Sequence, residues 1–385
     1  MITAITADVL HTPLHRIPDA VVLVENGRIL RLGNRELLAL PAQAKVVALH
    51  GELTPGLVEL HIHGAAGHDV MRDDAAGFAR MRRFLAARGV TSFLPTTVSA
   101  PRRQLLEALR HLGGTVTRPP GTGARPLGIH LEGPFLSPLK RGVHPLEALE
   151  LPSPEAFSLY YQASGGTIRL LTIAPELVGA LPTIRYARSL GVAVSLGHSN
   201  ATAAETLAAI EAGATHATHT FNAMRSFDHR EPGLVGTVLT DDRLTAEIIA
   251  DGHHVDRQVV RIFARCKGAA RAVLVTDALS ATGMADGVYE LGGQRVELRG
   301  GCCWSGDRLA GSALTLDRAV RRYQEFTGCN FHAALLAATA NPAAVLGRRD
   351  VGSLRVGVPA DLLLWGKTGE VEATYLAGEC WATSG

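Results

Sequence analysis

Cysteine is sparse. The five residues Cys266, Cys302, Cys303, Cys329 and Cys380 are odd in number and form no Cys-x-x-Cys pair. This speaks against a disulfide framework and against a thiolate zinc site. No run of about 18 apolar residues occurs, so no transmembrane helix is expected. The start, Met1 to Asp8, lacks the charged-then-apolar pattern of a secretory signal. A soluble protein in a reducing, cytoplasmic setting is the resulting expectation. Charge of either sign is not in excess: Lys+Arg 38 against Asp+Glu 36 gives +2. There is thus no electrostatic case for nucleic acid or an anionic membrane as a partner. Internal repeats and low-complexity segments are also absent.

What is present is apolar residues and histidine. The 385 residues are 46% hydrophobic and 19% charged, enough to bury a large core and to exclude global disorder. Histidines number 16 against 6 Tyr and 3 Trp. Twelve of the 16 lie between His61 and His254, which directs attention to metal binding or proton transfer.

Residues 1–54 read as strands and turns, with Asn26-Gly27 between apolar runs as a hairpin signal. From Thr54 the texture changes. Short apolar runs at 57–63, 92–95, 127–132, 168–174, 193–197, 216–220, 245–250 and 272–277 alternate with helical patterns. Eight such units favour a closed parallel barrel over an open sheet. Residues 288–312 break the rhythm with Gly-rich, strand-like pieces, as a flap over the barrel mouth would. The last 35 or so residues return to strand texture. The expected fold is α/β: a (β/α)8 TIM-like barrel (residues 55–350) with a small β-sandwich domain formed by both termini (1–54 and 351–385).

Polar residues at strand ends carry the chemistry. His61 and His63 are two apart in the first strand, so both face inward at the end where this fold places its active site. Taken alone, a His-x-His pair is commonly structural. Glu132 ends an apolar strand before Gly133-Pro134; such a carboxylate needs a cation or an arginine. His130 shares its parity and reads as a supporting residue or core filler. His198 and His219 each end a strand, one β/α unit apart, while His216 points elsewhere and reads as structural. Asp277 closes the eighth run and is either a base or a turn cap. Together the set predicts metal-assisted hydrolysis.

The same residues carry a resemblance. His61-x-His63, Glu132, His198, His219 and Asp277 resemble the amidohydrolase superfamily. The surrounding segments are similar to one family within it, the N-acetylglucosamine-6-phosphate deacetylases. These are His130–Phe135 with Gly142–His144, Gly197–Ala201, Phe221–Met224, His229–Gly236, Ile249–Gly252 with His254, Leu309–Ser312 and Asn341–Ala343. Glu59 departs from the family, standing where an Asp commonly precedes the His-x-His pair.

The resemblance implies a division of roles. Glu132, His198 and His219 match the main metal site; His61 and His63 match a pair that supports a second metal. One or two divalent ions per subunit are implied, zinc first, with iron, manganese or cobalt compatible. Asp277 matches the catalytic acid/base. His144 matches a catalytic residue beside the acetyl and sugar groups. Asn222, Ala223, His254 and Leu309 match substrate contacts. Arg230 matches a phosphate contact that reaches the neighbouring active site of a homodimer. The implied partner is a small phosphorylated amino sugar. A rival within the superfamily, acting on a cyclic amide or an N-acyl amino acid, often uses a carboxylated lysine. None of Lys45, Lys140, Lys267 and Lys367 ends a barrel strand. A barrel reused as a scaffold would have lost ligands, and all six positions remain.

Overall fold

A computed structural model describes residues 1–118 and 122–383. Eight parallel strands form the barrel. They are β1 (Leu57–Ile62), β2 (Val90–Thr97), β3 (Ile129–Glu132), β4 (Ile168–Ile173), β5 (Ala193–Leu196), β6 (His216–Ala217), β7 (Thr245–Ile248) and β8 (Ala272–Leu274). Each pairs with the next in chain order. The ring closes beyond β8, where Asp277 N–H donates to the His61 carbonyl at 3.0 Å and His63 N–H to that of Ala278 at 2.8 Å. At the other end, Ala337 and Ala338 bridge the seam, accepting from Leu274 and Val58.

Eight of the helices among the described residues follow the ring in order: α1 (Ala75–Ala87), α2 (Arg102–Thr117), α3 (Pro154–Ala163), α4 (Ala180–Ser189), α5 (Ala203–Ala212), α6 (Gly233–Thr240), α7 (Arg257–Arg271) and α8 (Leu316–Thr327). Their starts are written locally. Asp74 caps α1, Ser153 with Pro154 opens α3, and Thr202 with Glu205 forms a capping box on α5. All residues of β1 and β2 are buried, because strands of a barrel are covered on both faces. The barrel core includes Leu57, Phe93, Leu131, Leu171, Val194, Ile248 and Leu274.

The terminal segments meet in one eight-stranded sheet. The strand Ile2–His11 pairs antiparallel with Arg16–Glu25, and forks to pair in parallel with Lys45–Ala48 and Glu52–Pro55. Leu362–Trp365 joins the edge of Glu52–Pro55, which is how the two ends of the chain build one domain. The sheet curls so that Ile5, Val22, Leu53, Leu362 and Leu364 share a core. On the same strand Leu363 and Trp365 enter the barrel core, the period-2 alternation of a strand between two bodies. The hairpin turns at Asn26-Gly27, both with positive φ (50° and 74°), the geometry that selects Asn-Gly.

The flap is a four-stranded antiparallel meander: Gly287–Leu291, Gln294–Arg299, Cys302–Ser305 and Arg308–Ser312. No helix among the described residues is long and apolar enough to cross a membrane.

Candidate active site

At the C-terminal end of the barrel a cavity of about 170 Å³ is lined by His63, Glu132, His144, His198, His219 and Asp277, with Asn222, Ala223, His254 and Leu309. His61 lies directly beneath, fully buried. Three of these groups sit just past their strands rather than on them. His198 (φ 47°), His219 (φ 24°) and Asp277 (φ 50°) all adopt left-handed backbone. Only a structure that over-determines these residues holds them there, at about 1–3 kcal/mol each. The turn swings each side chain back over the barrel axis.

Glu132 is the hub. Its Oε1 lies 3.2 Å from both His198 Nε2 and His219 Nε2, and 3.4 Å from His61 Nε2. Its Oε2 lies 3.3 Å from His63 Nε2 and 3.6 Å from His144 Nε2. Asp277 Oδ1 lies 3.1 Å from His63 Nε2 and 3.5 Å from His61 Nε2.

The far nitrogen of each ring sets its role. His61 Nδ1 donates to Glu247 Oε2 (3.1 Å), His63 Nδ1 to the Thr96 carbonyl (2.9 Å) and His198 Nδ1 to the Lys140 carbonyl (3.0 Å). Each therefore turns its Nε2 toward Glu132, and the neutral ring presents a lone pair there. His144 is reversed: Ser99 N–H donates to its Nδ1 at 3.1 Å, so the neutral ring carries its proton on Nε2. His144 is thereby a donor into the cavity, and the others are ligand-ready. His219 Nδ1 has no partner among the described residues.

These groups fit a divalent cation. His198 Nε2 and His219 Nε2 face each other at 3.0 Å, and His61 Nε2 and His63 Nε2 at 3.3 Å. Imidazole nitrogens that close need a shared proton or a cation between them. Two clusters, His61–Glu132–His219 and His61–His63–Asp277, each bring their ligand atoms within 4.8 Å. A third, Glu132–His144–His198, is discounted by the His144 tautomer.

Electrostatics agree. Burial opposes ionisation of Glu132, but charge on His61 and hydrogen bonds from His144, His198 and His219 hold it well below its ordinary range. Burial likewise opposes ionisation of Asp277, yet His61 and His63 bring it to about 2. Burial disfavours protonated His63, but Asp277 and Glu132 raise it to about 9. His61 is raised in the same way by Glu132 and Asp277. The ionised carboxylates thus keep protons on the neighbouring imidazoles where a cation would otherwise supply the charge, and cation uptake is a proton exchange.

The substrate side is polar. Asp251 Oδ2 accepts from His254 Nδ1 at 2.7 Å. Burial disfavours the His254 cation, but Asp251 outweighs it and raises the pKa. Arg230 is exposed and lies outside the cavity of its own chain. Leu309 lies on the flap wall.

The sequence reading missed the supports Glu247 and Glu176, whereas His130 and Glu59 were already singled out there. Glu247, fully buried on β7, accepts from His61 Nδ1, from the His219 backbone N–H and from His216 Nε2, each at 3.1 Å. His216 is therefore no mere core residue; it backs the carboxylate that orients His61. Glu176 ties down the turn after His198, accepting from Ser199 Oγ (2.7 Å) and Asn200 N–H (2.6 Å). Glu59 accepts from His61 N–H (3.0 Å) and Thr276 N–H (3.1 Å), a staple across the β1–β8 seam. His130 packs edge-on against His61, held by Thr96 and Thr172. Burial, then the charge on His61, lowers its pKa to about 3 and keeps it neutral.

Comparison with known proteins gives consistent results. A family model described as "Amidohydrolase family" matches residues 53–380. An N-acetylglucosamine-6-phosphate deacetylase of Bacillus subtilis (strain 168) is 38% identical over 330 residues, 85% of this chain and 83% of that protein. An N-acetylgalactosamine-6-phosphate deacetylase of Escherichia coli O157:H7 is 39% identical over 367 residues, 93% and 97% of the two chains. A solved mutant N-acetyl-D-glucosamine-6-phosphate deacetylase from Mycobacterium smegmatis, in complex with N-acetyl-D-glucosamine-6-phosphate, is 34% identical. It superposes with a TM-score of 0.93 over 99% of this chain and 100% of that one. The barrel, its cluster of strand-end histidines and carboxylates, and these matches agree: the chain belongs to the amidohydrolase family.

Proposed function

We propose that the chain hydrolyses the acetamide of N-acetylglucosamine 6-phosphate, giving glucosamine 6-phosphate and acetate. One observation carries the reading. Four imidazole Nε2 atoms and Glu132 converge beside a carboxylate, Asp277, and an oppositely oriented donor, His144. The names of the relatives supply the substrate class.

Glu132, His198 and His219 would hold one divalent cation, and His61 with His63 a second. Zinc suits this donor set first, with iron, manganese or cobalt as alternatives. Such a cation supplies Lewis acidity at the amide carbonyl and lowers the pKa of the attacking water. The chain's own residues do the rest. Asp277, held ionised, takes the proton of the attacking water as oxygen bonds to the acyl carbon. His144 Nε2–H donates to the carbonyl oxygen as negative charge develops there. Asp277 then delivers its proton to the sugar nitrogen as the carbon–nitrogen bond breaks. His254, its pKa raised by Asp251, faces the phosphate with Asn222 and the backbone of Ala223. Arg230 belongs to this site through a homodimer, reaching the phosphate of the neighbouring subunit with a bidentate fork. The setting is cytoplasmic.

The 4-epimer is the second reading, favoured by the identity to the E. coli galactosamine enzyme. Acetate release is measured on both 6-phosphates and on unphosphorylated N-acetylglucosamine. A clear preference for the glucosamine 6-phosphate is expected. Equal rates with and without the phosphate refute the phosphate contacts, and a preference for the galacto form exchanges the two readings.

A further inference from the structure

The cavity has a polar floor and one apolar wall. Val98, Val143, Leu291 and Ala310 line that wall and pack together in a cluster separate from the barrel core. The wall adjoins the carbonyl donor through the chain itself. Val143 precedes His144, and Val98 precedes Ser99, whose N–H fixes the His144 ring. An acyl oxygen at His144 Nε2 has the first carbon of its chain only two bonds away. The hydrocarbon end of the acyl group therefore meets this wall, while hydroxyls and phosphate face Asn222 and His254.

Leu291 is supplied by the flap, and the flap tip is pinned. Gly292 has φ +57°, and a Cβ there would lie 2.1 Å from Val98 Cγ2, so the tip sits directly on Val98. Asp69, 3% exposed, accepts from Gly292 N–H through Oδ2 (2.6 Å) and from Met71 N–H through Oδ1 (2.8 Å). Ser280 Oγ donates to the Glu290 carbonyl at 2.5 Å, and Arg72 pairs with the Glu290 carboxylate. At the flap's other end, Ser312 N–H donates to the Asp277 carbonyl at 2.7 Å. A wall fastened this way does not retreat to admit further methylenes.

We propose that Leu291 sets the length of acyl chain the site accepts, and that Asp69 is the positioning residue that holds it in place. The inference rests on the deacetylase reading and assigns its acyl specificity. The test compares kcat/KM on the N-acetyl, N-propionyl and N-butyryl forms of glucosamine 6-phosphate. Wild type is expected to favour acetyl. Leu291→Ala raises the propionyl-to-acetyl and butyryl-to-acetyl ratios by about tenfold or more, the discrimination a methylene carries in an apolar pocket. Asp69→Ala raises the same ratios although its side chain lies outside the cavity. Should Asp69→Ala not yield folded protein, Asp69→Asn, which loses one of the two acceptors, is read on the same ratios. Unchanged ratios in Leu291→Ala with metal content retained overturn the wall. A shift in Leu291→Ala alone overturns the role of Asp69. No acetate release by wild type overturns the underlying reading, and this inference with it.

Discussion

Glu247 offers a graded test of how the metal site is held. Its Oε2 accepts from His61 Nδ1 and from the His219 backbone, and its Oε1 accepts from His216 Nε2. Glutamine can reproduce this geometry. Its carbonyl takes the place of Oε2, and its amide N–H faces His216 Nε2. His216 can become the acceptor by moving its proton to Nδ1, where Thr245 Oγ1 stands ready at 2.7 Å. Glu247→Gln then removes charge and little else. A charge-assisted bond to His61 becomes a neutral one, about half as strong, a loss of roughly 1 kcal/mol. Supports of this kind are typically worth about 10–100-fold in metal affinity. Glu247→Ala is different in kind, because it leaves three buried N–H donors unpaired at about 1–3 kcal/mol each. The assay is metal retained per subunit after dialysis against graded chelator, with Tm in parallel. Expected is a chelator midpoint about tenfold lower for Gln at near wild-type Tm, and loss of both metal and stability for Ala. A glutamine variant that retains metal like wild type refutes the argument, as does one that falls as far as alanine.

The other expectations concern catalysis and substrate. Asp277→Asn should lower kcat by about 10²–10⁴-fold, the range for a lost general base, with elemental analysis showing near-normal metal. Metal loss in that variant would make Asp277 a ligand first. His254 has a raised pKa, so its charge is complete at low pH and lost as pH rises through the folded value. KM should therefore climb on the alkaline side, and Asp251→Asn should move that climb to lower pH; superimposable KM profiles would dismiss the pair. Arg230→Ala should raise KM with kcat nearly unchanged, because it removes a contact remote from the reacting bond. A fall in kcat alone would contradict that placement, and sedimentation of the wild type checks the dimer it requires.

Sequence legibility followed local pattern. The eight barrel strands were readable because apolar runs and helical periods alternate with little interruption. The candidate ligands were readable because polar side chains at the ends of such runs need a reason to be there. What escaped were residues whose partners are distant in the chain. Glu247 is a lone charged residue in a four-residue strand, and its partner His61 is 186 positions away. Asp69 looks like an ordinary loop aspartate until Gly292, 223 positions on, donates to it. The left-handed turns at His198, His219 and Asp277 were equally hidden, since none of the three is the glycine that such backbone usually selects. The same limit governs the histidines. Residue type says that an imidazole is present, but only its surroundings say which nitrogen carries the proton. His63 and His198 touch a backbone carbonyl at Nδ1 and His61 a carboxylate, and all three turn Nε2 toward Glu132 as candidate ligands. His144 meets a backbone N–H there and becomes a donor. One position on the ring thus separates metal binding from carbonyl polarisation, and moving the Ser99 backbone would erase the difference.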